Sequence, residues 1–343
     1  MILELSKGNR KVVEYKLINR TQLHDDKVDG RTTILVELEA VDPKDAPYYL
    51  PGDHIGIYPE NRKELVNEII ENLPEYDADQ NLKVLVKKHN LLDDNNDEEE
   101  WVPYERFSVV SLREALTRYL DITTPPTQQL LNLLQMRAED EIDKRKLKLL
   151  SSDSNKYEDW KAMKYPNLLE ILIEFPSVKF NLELIFTQLP VLQSRFYSIS
   201  SSPLKVSPAR IDLTIAVVTY TTYFGGKHYG VCSNFLFQTE IGNSVFGFIR
   251  SAPNFRIPDD NCVPIIMVGP GSGIAPFRAF WQHREIQMKM KDNEEFGKMT
   301  LFFGCRCPSM QLHSKEVLSM VNMNVITENY TAFSRIKGYN MVS

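Results

Sequence analysis

The chain has 343 residues, a length that suits two or three domains. Its formal net charge of −6 argues against a general nucleic-acid binder, which needs a basic face to neutralise phosphates. The four cysteines (Cys232, Cys262, Cys305 and Cys307) are too few for a disulfide framework, and no second Cys/His pair accompanies Cys305-x-Cys307, so no metal site is expected and a reducing, cytoplasmic compartment fits.

Met1 to Arg10 holds no apolar core long enough for a signal peptide, and no stretch approaches the roughly 20 apolar residues of a membrane span. Arg31–Glu39 alternates as a strand does, with Ile34, Val36 and Leu38 on one side. Pro51-Gly52 signals a turn before a short strand, Ile55–Tyr58. Asn61 suits the cap of a helix over Arg62–Asn72, with Leu65, Val66, Ile69 and Ile70 on one face. The acidic run Asp93–Glu100 reads as a solvated loop. Ser111 opens an amphipathic stretch, Leu112–Leu120, and Thr127 is poised to cap a helix over Gln128–Arg137. Helical pattern continues over Glu139–Leu150, Tyr157–Lys164 and Asn167–Phe175. Strand texture returns near Ile185 and runs to Arg250, including Arg195–Ser200 and Arg210–Tyr220. Those strands suggest an antiparallel barrel, interrupted by a helical insertion.

From Asn261 the texture changes to β-α-β-α. A strand at Val263–Gly269 leads through a glycine-rich turn, Gly269–Pro276, into a helix over Phe277–Lys289. A strand follows at Met299–Gly304, then a helix at Ser314–Val321, and Val325–Ile326 begins another strand. This is the opening of a parallel doubly wound sheet. Such sheets usually carry five or six strands, so the expectation is a domain cut short. The fold class is thus an all-β antiparallel barrel with a helical insertion plus α/β. The boundaries are 1–72 and 181–258 for the barrel, 73–180 for the insertion and 259–343 for the incomplete dinucleotide-binding domain.

Four constellations carry chemistry. Arg195 is a fixed cation that suits a pyrophosphate, and Tyr197, two residues on along a strand, shares its face and could stack on a flat heterocycle. Ser198 offers a hydroxyl near a reacting atom. The same residues also suit an edge strand with a surface Arg and a core Tyr. Gly230-Val-Cys-Ser233 opens a helix, Asn234–Thr239, whose N-terminus favours an anion; an ordinary capped helix reads the same way. Gly269–Pro276 follows a strand and precedes a helix, so backbone and Ser272 can approach a nicotinamide dinucleotide, although the spacing is not Gly-x-Gly-x-x-Gly. Arg306, Ser334 and Arg335 lie past strand ends, where such sheets bind ligands, and could clamp a 2′-phosphate; solvated arginines are the plain alternative.

At these residues the chain resembles the ferredoxin–NADP reductase superfamily. Within it, the diflavin reductases and the reductase region of nitric oxide synthase are most similar. The resemblance rests on Pro51–His54, Tyr119–Pro126, Arg195–Pro203, His228–Ser233, Gly269–Arg278, Phe303–Arg306 and Tyr330–Arg335. It implies an FAD site at His54, Arg195, Phe196, Tyr197, Ser198, Thr214, Ala216, Gly230, Val231, Cys232 and Ser233, with Ser198 at the reacting edge. It implies NADPH contacts at Arg31, Thr219, Ser272, Arg306, Ser334 and Arg335. Phe196, Ser272 and Phe333 stand where the family usually has Tyr, Thr and Tyr.

The implied reaction passes hydride from NADPH to FAD and electrons onward to an FMN domain and haem. FMN, haem, tetrahydrobiopterin, calmodulin and a homodimer belong, in the family, to upstream regions not seen in this sequence. Two rivals stand beside this reading. One is a reductase serving a P450-type or methionine synthase partner. The other is a truncated FAD-binding product without turnover.

Overall fold

The computed structural model describes residues 11–24, 30–73, 76–88, 100–104, 109–291 and 294–336. Met1 to Arg10 and most of the acidic run at 93–100 lie outside the described residues. The chain divides into two compact units. One takes in the described residues up to Pro59, Ser194–Thr219 and those from Cys232 onward; the other comprises Glu60–Gln193 and Tyr220–Val231.

In the first unit, six strands form one antiparallel sheet: β1 (Val13–Gln22), β2 (Thr32–Ala40), β3 (His54–Tyr58), β4 (Arg195–Ser198), β5 (Arg210–Val217) and β6 (Ser244–Arg250). Their order is β4-β3-β6-β1-β2-β5. The expected barrel does not close, because β4 and β5 remain the edges of the ladder. Just past β4, a lone bridge between Ile199 and Leu213 and hydrogen bonds joining Ser200 and Ser201 to Asp212, among them the Ser200 N–H donating to the Asp212 carbonyl at 2.8 Å, tie those ends without a continuous ladder. β1 was not expected from the sequence. The alternation in β2 holds: Ile34, Val36 and Leu38 are buried in a core with Tyr15, Leu17, Ile55, Ile57 and Leu213.

The same unit continues through helix α1 (Val231–Gln238) to a parallel sheet, with β7 (Ile265–Val268), helix α2 (Ala275–Met290), β8 (Met299–Cys305), helix α3 (Ser314–Asn322) and β9 (Glu328–Phe333). The parallel order is β7-β8-β9. Two expectations shift. Helix α1 begins at Val231 rather than Asn234, so Cys232 and Ser233 lie inside it. Val325 and Ile326 are buried core residues before the strand, which starts at Glu328. Asn324 precedes them at φ +55°, and that left-handed turn delays the ladder.

The second unit is built from capped helices around its own core. Thr127 caps Gln128–Arg137, as expected, by accepting the Leu130 N–H at 3.2 Å. Ser111 caps Leu112–Glu114, which runs on as a π-helical turn, Ala115–Tyr119. Asp140, Asp153 and Asn181 cap Glu141–Ser152, Ser154–Lys164 and Leu182–Gln188. The last of these is a helix where strand texture was expected near Ile185. Asn61 does not cap the helix Lys63–Glu71; it is buried, and its amide donates to the Leu116 and Leu120 carbonyls at 2.7 and 2.8 Å. Two small antiparallel strand pairs, Asn81–Lys83 with Val109–Ser111 and Leu85–Lys88 with Glu100–Pro103, also belong to this unit.

Candidate functional site

The first part of the site is assembled where β4 meets β3 and helix α1. Pairing sets His54 opposite Ser198, Ile55 opposite Tyr197, and Ile57 opposite Arg195. Alternation then gives Arg195 and Tyr197 one face of β4, and Phe196 and Ser198 the other. Tyr197 packs against the buried core of the sheet, to which Cys232 of α1 also belongs. Burial drives the Tyr197 hydroxyl strongly upward, so it stays protonated at any working pH. Burial also pushes the Cys232 thiol up to about 12, so it is not a nucleophile at neutral pH.

On the other face, Phe196 meets Phe248 edge-on at 5.7 Å between centroids, and the Arg250 guanidinium lies 4.9 Å from its ring centre. Gly56, opposite Phe196, is required there: a Cβ would come within 2.5 Å of the Phe248 ring. Burial, and then the neighbouring Arg250, lowers the His54 imidazole below its ordinary range, so it is neutral at pH 7. The turn before it is held by Asp53, which is buried. Its carboxylate accepts from the Leu50 N–H at 2.8 Å, the Ala252 N–H at 2.9 Å, and Arg256.

Helix α1 is fastened to the far end of β5. The Val218 N–H donates to the Ser233 hydroxyl at 3.1 Å, and the Asn234 amide donates to the Val218 carbonyl at 2.7 Å. No acidic side chain stands in the first turn of α1, so its N-terminal N–H groups face no competing carboxylate from that turn. Gly230 and Val231 immediately precede Cys232 but are grouped with the second unit.

Thr214 and Ala216 lie on the β5 face opposite Ile211, Leu213 and Ile215. Ala216 is exposed, whereas Thr214 is buried and hydrogen-bonded to His313 at 3.0 Å. A cation, a stacking ring on a fixed strand and a helix N-terminus are the donor set that an FAD pyrophosphate and ring require, so the residues fit that cofactor.

The second part lies at the carboxyl ends of β7, β8 and β9. The glycine-rich turn folds back on the sheet, with the Gly269 N–H donating to the Phe302 carbonyl at 3.0 Å. A Cβ at Gly269 would meet Gly273 backbone at 2.8 Å, so this close approach needs glycine. Ser272 sits in a 3₁₀ turn, Gly271–Ile274, that runs into α2. The Ser334 N–H donates to the Cys305 carbonyl at 3.0 Å and the Arg335 N–H to the Arg306 carbonyl at 3.1 Å, which draws the chain ends bearing Arg306, Ser334 and Arg335 together. Arg31 and Thr219 are exposed and flank the same end of the β2–β5 pair, beyond Thr32 opposite Val217.

Sequence reasoning missed the polar cluster joining the two sheets, namely the buried Asp212, Arg278 and His313 and the half-buried Glu316. Arg278 was in view only as the last letter of the glycine-rich motif. Among the described residues no group of three His, Cys, Asp or Glu side chains could hold a metal ion, and no helix is long and apolar enough to cross a membrane.

A flavin-type antiparallel sheet followed by a parallel dinucleotide-binding sheet defines a flavoprotein oxidoreductase that draws on a nicotinamide cofactor. The chain belongs to the family described as FAD binding domain, whose model matches residues 6–235, and the model for the oxidoreductase NAD-binding domain matches residues 267–337. It is 45% identical over 312 residues to a nitric oxide synthase-like protein of Bombyx mori, covering 90% of this chain and 28% of that protein. It is 46% identical over 311 residues to the nitric oxide synthase of Anopheles stephensi (89% of this chain, 24% of that one). It is 42% identical over 310 residues to the inducible nitric oxide synthase of Bos taurus (90% and 26%). The chain therefore spans about a quarter of the length of these relatives, and fits a nitric oxide synthase-like reductase region.

Proposed function

We propose that the chain is the FAD- and NADPH-binding part of a nitric oxide synthase-like reductase, taking hydride from NADPH onto FAD and releasing electrons to an FMN domain that serves haem. The observation that carries this reading is the Arg195–Tyr197 strand packed into one core with Cys232 of helix α1, in one unit with a glycine-rich turn on a parallel sheet. Arg195 and the α1 N-terminus, with Gly230, Val231, Cys232 and Ser233, hold the FAD phosphates. Tyr197 stacks on its ring, Phe196 and His54 flank it, and Thr214 and Ala216 line its other side. Ser198 sets its hydroxyl at the reacting edge.

Ser272, Arg31 and Thr219 contact NADPH, and Arg306, Ser334 and Arg335 take its 2′-phosphate. When bound, FAD supplies two-electron acceptance and one-electron release; the protein supplies position and charge. The domain limits follow this division: 1–72 and 181–258 for FAD, 73–180 as the connecting insertion, and 259–343 for NADPH. A cytosolic setting, calmodulin control and a homodimer would come with the whole protein.

The test is spectroscopic. Purified chain soaked in FAD should turn yellow, and anaerobic NADPH should bleach the flavin band within seconds. Arg195→Ala should weaken FAD binding at least tenfold, the scale of a lost charge-assisted pair. Protein that stays colourless with Arg195 and Tyr197 intact overturns the reading.

A further inference from the structure

The outer face of β5 carries a buried polar chain that neither the FAD reading nor the NADPH reading uses. The Arg278 side chain, in α2 at the foot of the glycine-rich turn, is 9% exposed. Its Nη1 donates to the Ser200 carbonyl at 2.9 Å and to Asp212 at 3.0 Å, and its Nε donates to Glu316 at 2.8 Å. Glu316 accepts two further donors at 2.9 Å, the Trp281 indole N–H and the Gln282 amide. The second oxygen of Asp212 accepts from Arg210 at 3.0 Å. Beside this chain, His313 reaches Thr214 at 3.0 Å from a backbone φ of +54°, a conformation seldom kept unless the surroundings fix it.

A charge this deep is expensive to desolvate unless it is matched, and here Nε and Nη1 of Arg278 both meet acceptors. Such a cluster is a poor way to gain stability over apolar packing. It is a good way to fix one relative placement, because any sliding strands a buried charge. The strand it grips carries Thr214 and Ala216. The helix it grips begins at the turn carrying Ser272.

We propose that Arg278, held between Asp212 and Glu316, and His313, held to Thr214, form a latch that sets the antiparallel sheet against the dinucleotide turn, and are positioning residues for hydride transfer. The last clause rests on the function proposed above; the latch itself does not. Arg278→Lys keeps the charge but loses the forked geometry, and His313→Asn tolerates the left-handed backbone but is too short to reach Thr214.

Two readouts on the full chain test the idea. In the FAD-free protein, proteolysis of the segment between β6 and β7 (251–264) should quicken at least threefold in Arg278→Lys. With FAD bound, both variants should hold FAD and NADP⁺ within threefold of the unmodified chain, while flavin reduction by NADPH slows at least tenfold. A slowed rate with unchanged affinities is the signature of lost positioning; a merely structural role would lower all three together. Unchanged proteolysis in Arg278→Lys overturns the latch. Unchanged reduction in His313→Asn, or losses of affinity and rate in step, overturn the positioning role. If the unmodified chain takes up no FAD, the failure belongs to the proposed function, and the proteolysis comparison still decides the latch.

Discussion

His313 illustrates what a single side chain reports about its surroundings. Burial, and then the adjacent Arg278 cation, push its imidazole down to about 4, against the pull of Glu316 and Asp212. Unfolded, the ring would titrate near 6.5, so the unfolded chain takes a proton that the folded chain refuses. The stability it contributes is complete above pH 6.5 and drains as pH falls towards 4, by about 3 kcal/mol at most on a scale of roughly 1.4 kcal/mol per unit. His313→Gln should flatten this part of the acid limb in urea titrations read at half-unit pH steps; an identical slope would count against the buried neutral ring. Residues of this kind are hard to read from sequence, because nothing in Leu312-His-Ser-Lys-Glu316 marks a buried His. Arg195 and Tyr197 were legible because a two-residue spacing on a strand is enough to give them one face.

At the scale of elements, the legible ones were those with both a period and a cap. Asn167 accepts the Glu170 N–H at 3.0 Å while Glu170 returns a bond to the Asn167 N–H at 2.8 Å, closing a capping box on Leu168–Glu174. Asn167→Ala should cost about 1 kcal/mol in chemical denaturation, and an unchanged midpoint would mean the box is idle. Strand β1 escaped notice because its register shifts between Leu17 and Asn19, so the alternation of Val13, Tyr15 and Leu17 breaks off halfway. Leu182–Gln188 was misread because Leu184, Ile185 and Phe186 form a short apolar run, and such a run does not distinguish a buried helix from a buried strand. The closed barrel was an extrapolation from strand count. Closure depends on pairing between the first and last strands of the ladder, which local sequence does not encode.

For the whole molecule, the problem is how a chain of net charge −6 attracts a dinucleotide that is itself anionic. In the function proposed above the parallel sheet would resolve this locally, since β8 and β9 end side by side and bring Arg306 and Arg335 to neighbouring positions through adjacent backbone hydrogen bonds. Two guanidiniums at one sheet end match a phosphomonoester, and a hydrogen bond to a charged group is worth roughly 1.5–3 kcal/mol, or about ten- to a hundredfold in affinity. The contrast is sharpest with ligands that lack the nicotinamide, because these do not depend on hydride transfer or on the flavin. In calorimetric titrations, 2′,5′-ADP should bind at least tenfold more tightly than 5′-AMP. Arg306→Ala with Arg335→Ala should erase that difference while leaving 5′-AMP nearly unchanged. Equal losses for both ligands would mean that these arginines support the sheet end rather than select the 2′-phosphate, and the preference for NADPH over NADH would then have to arise elsewhere.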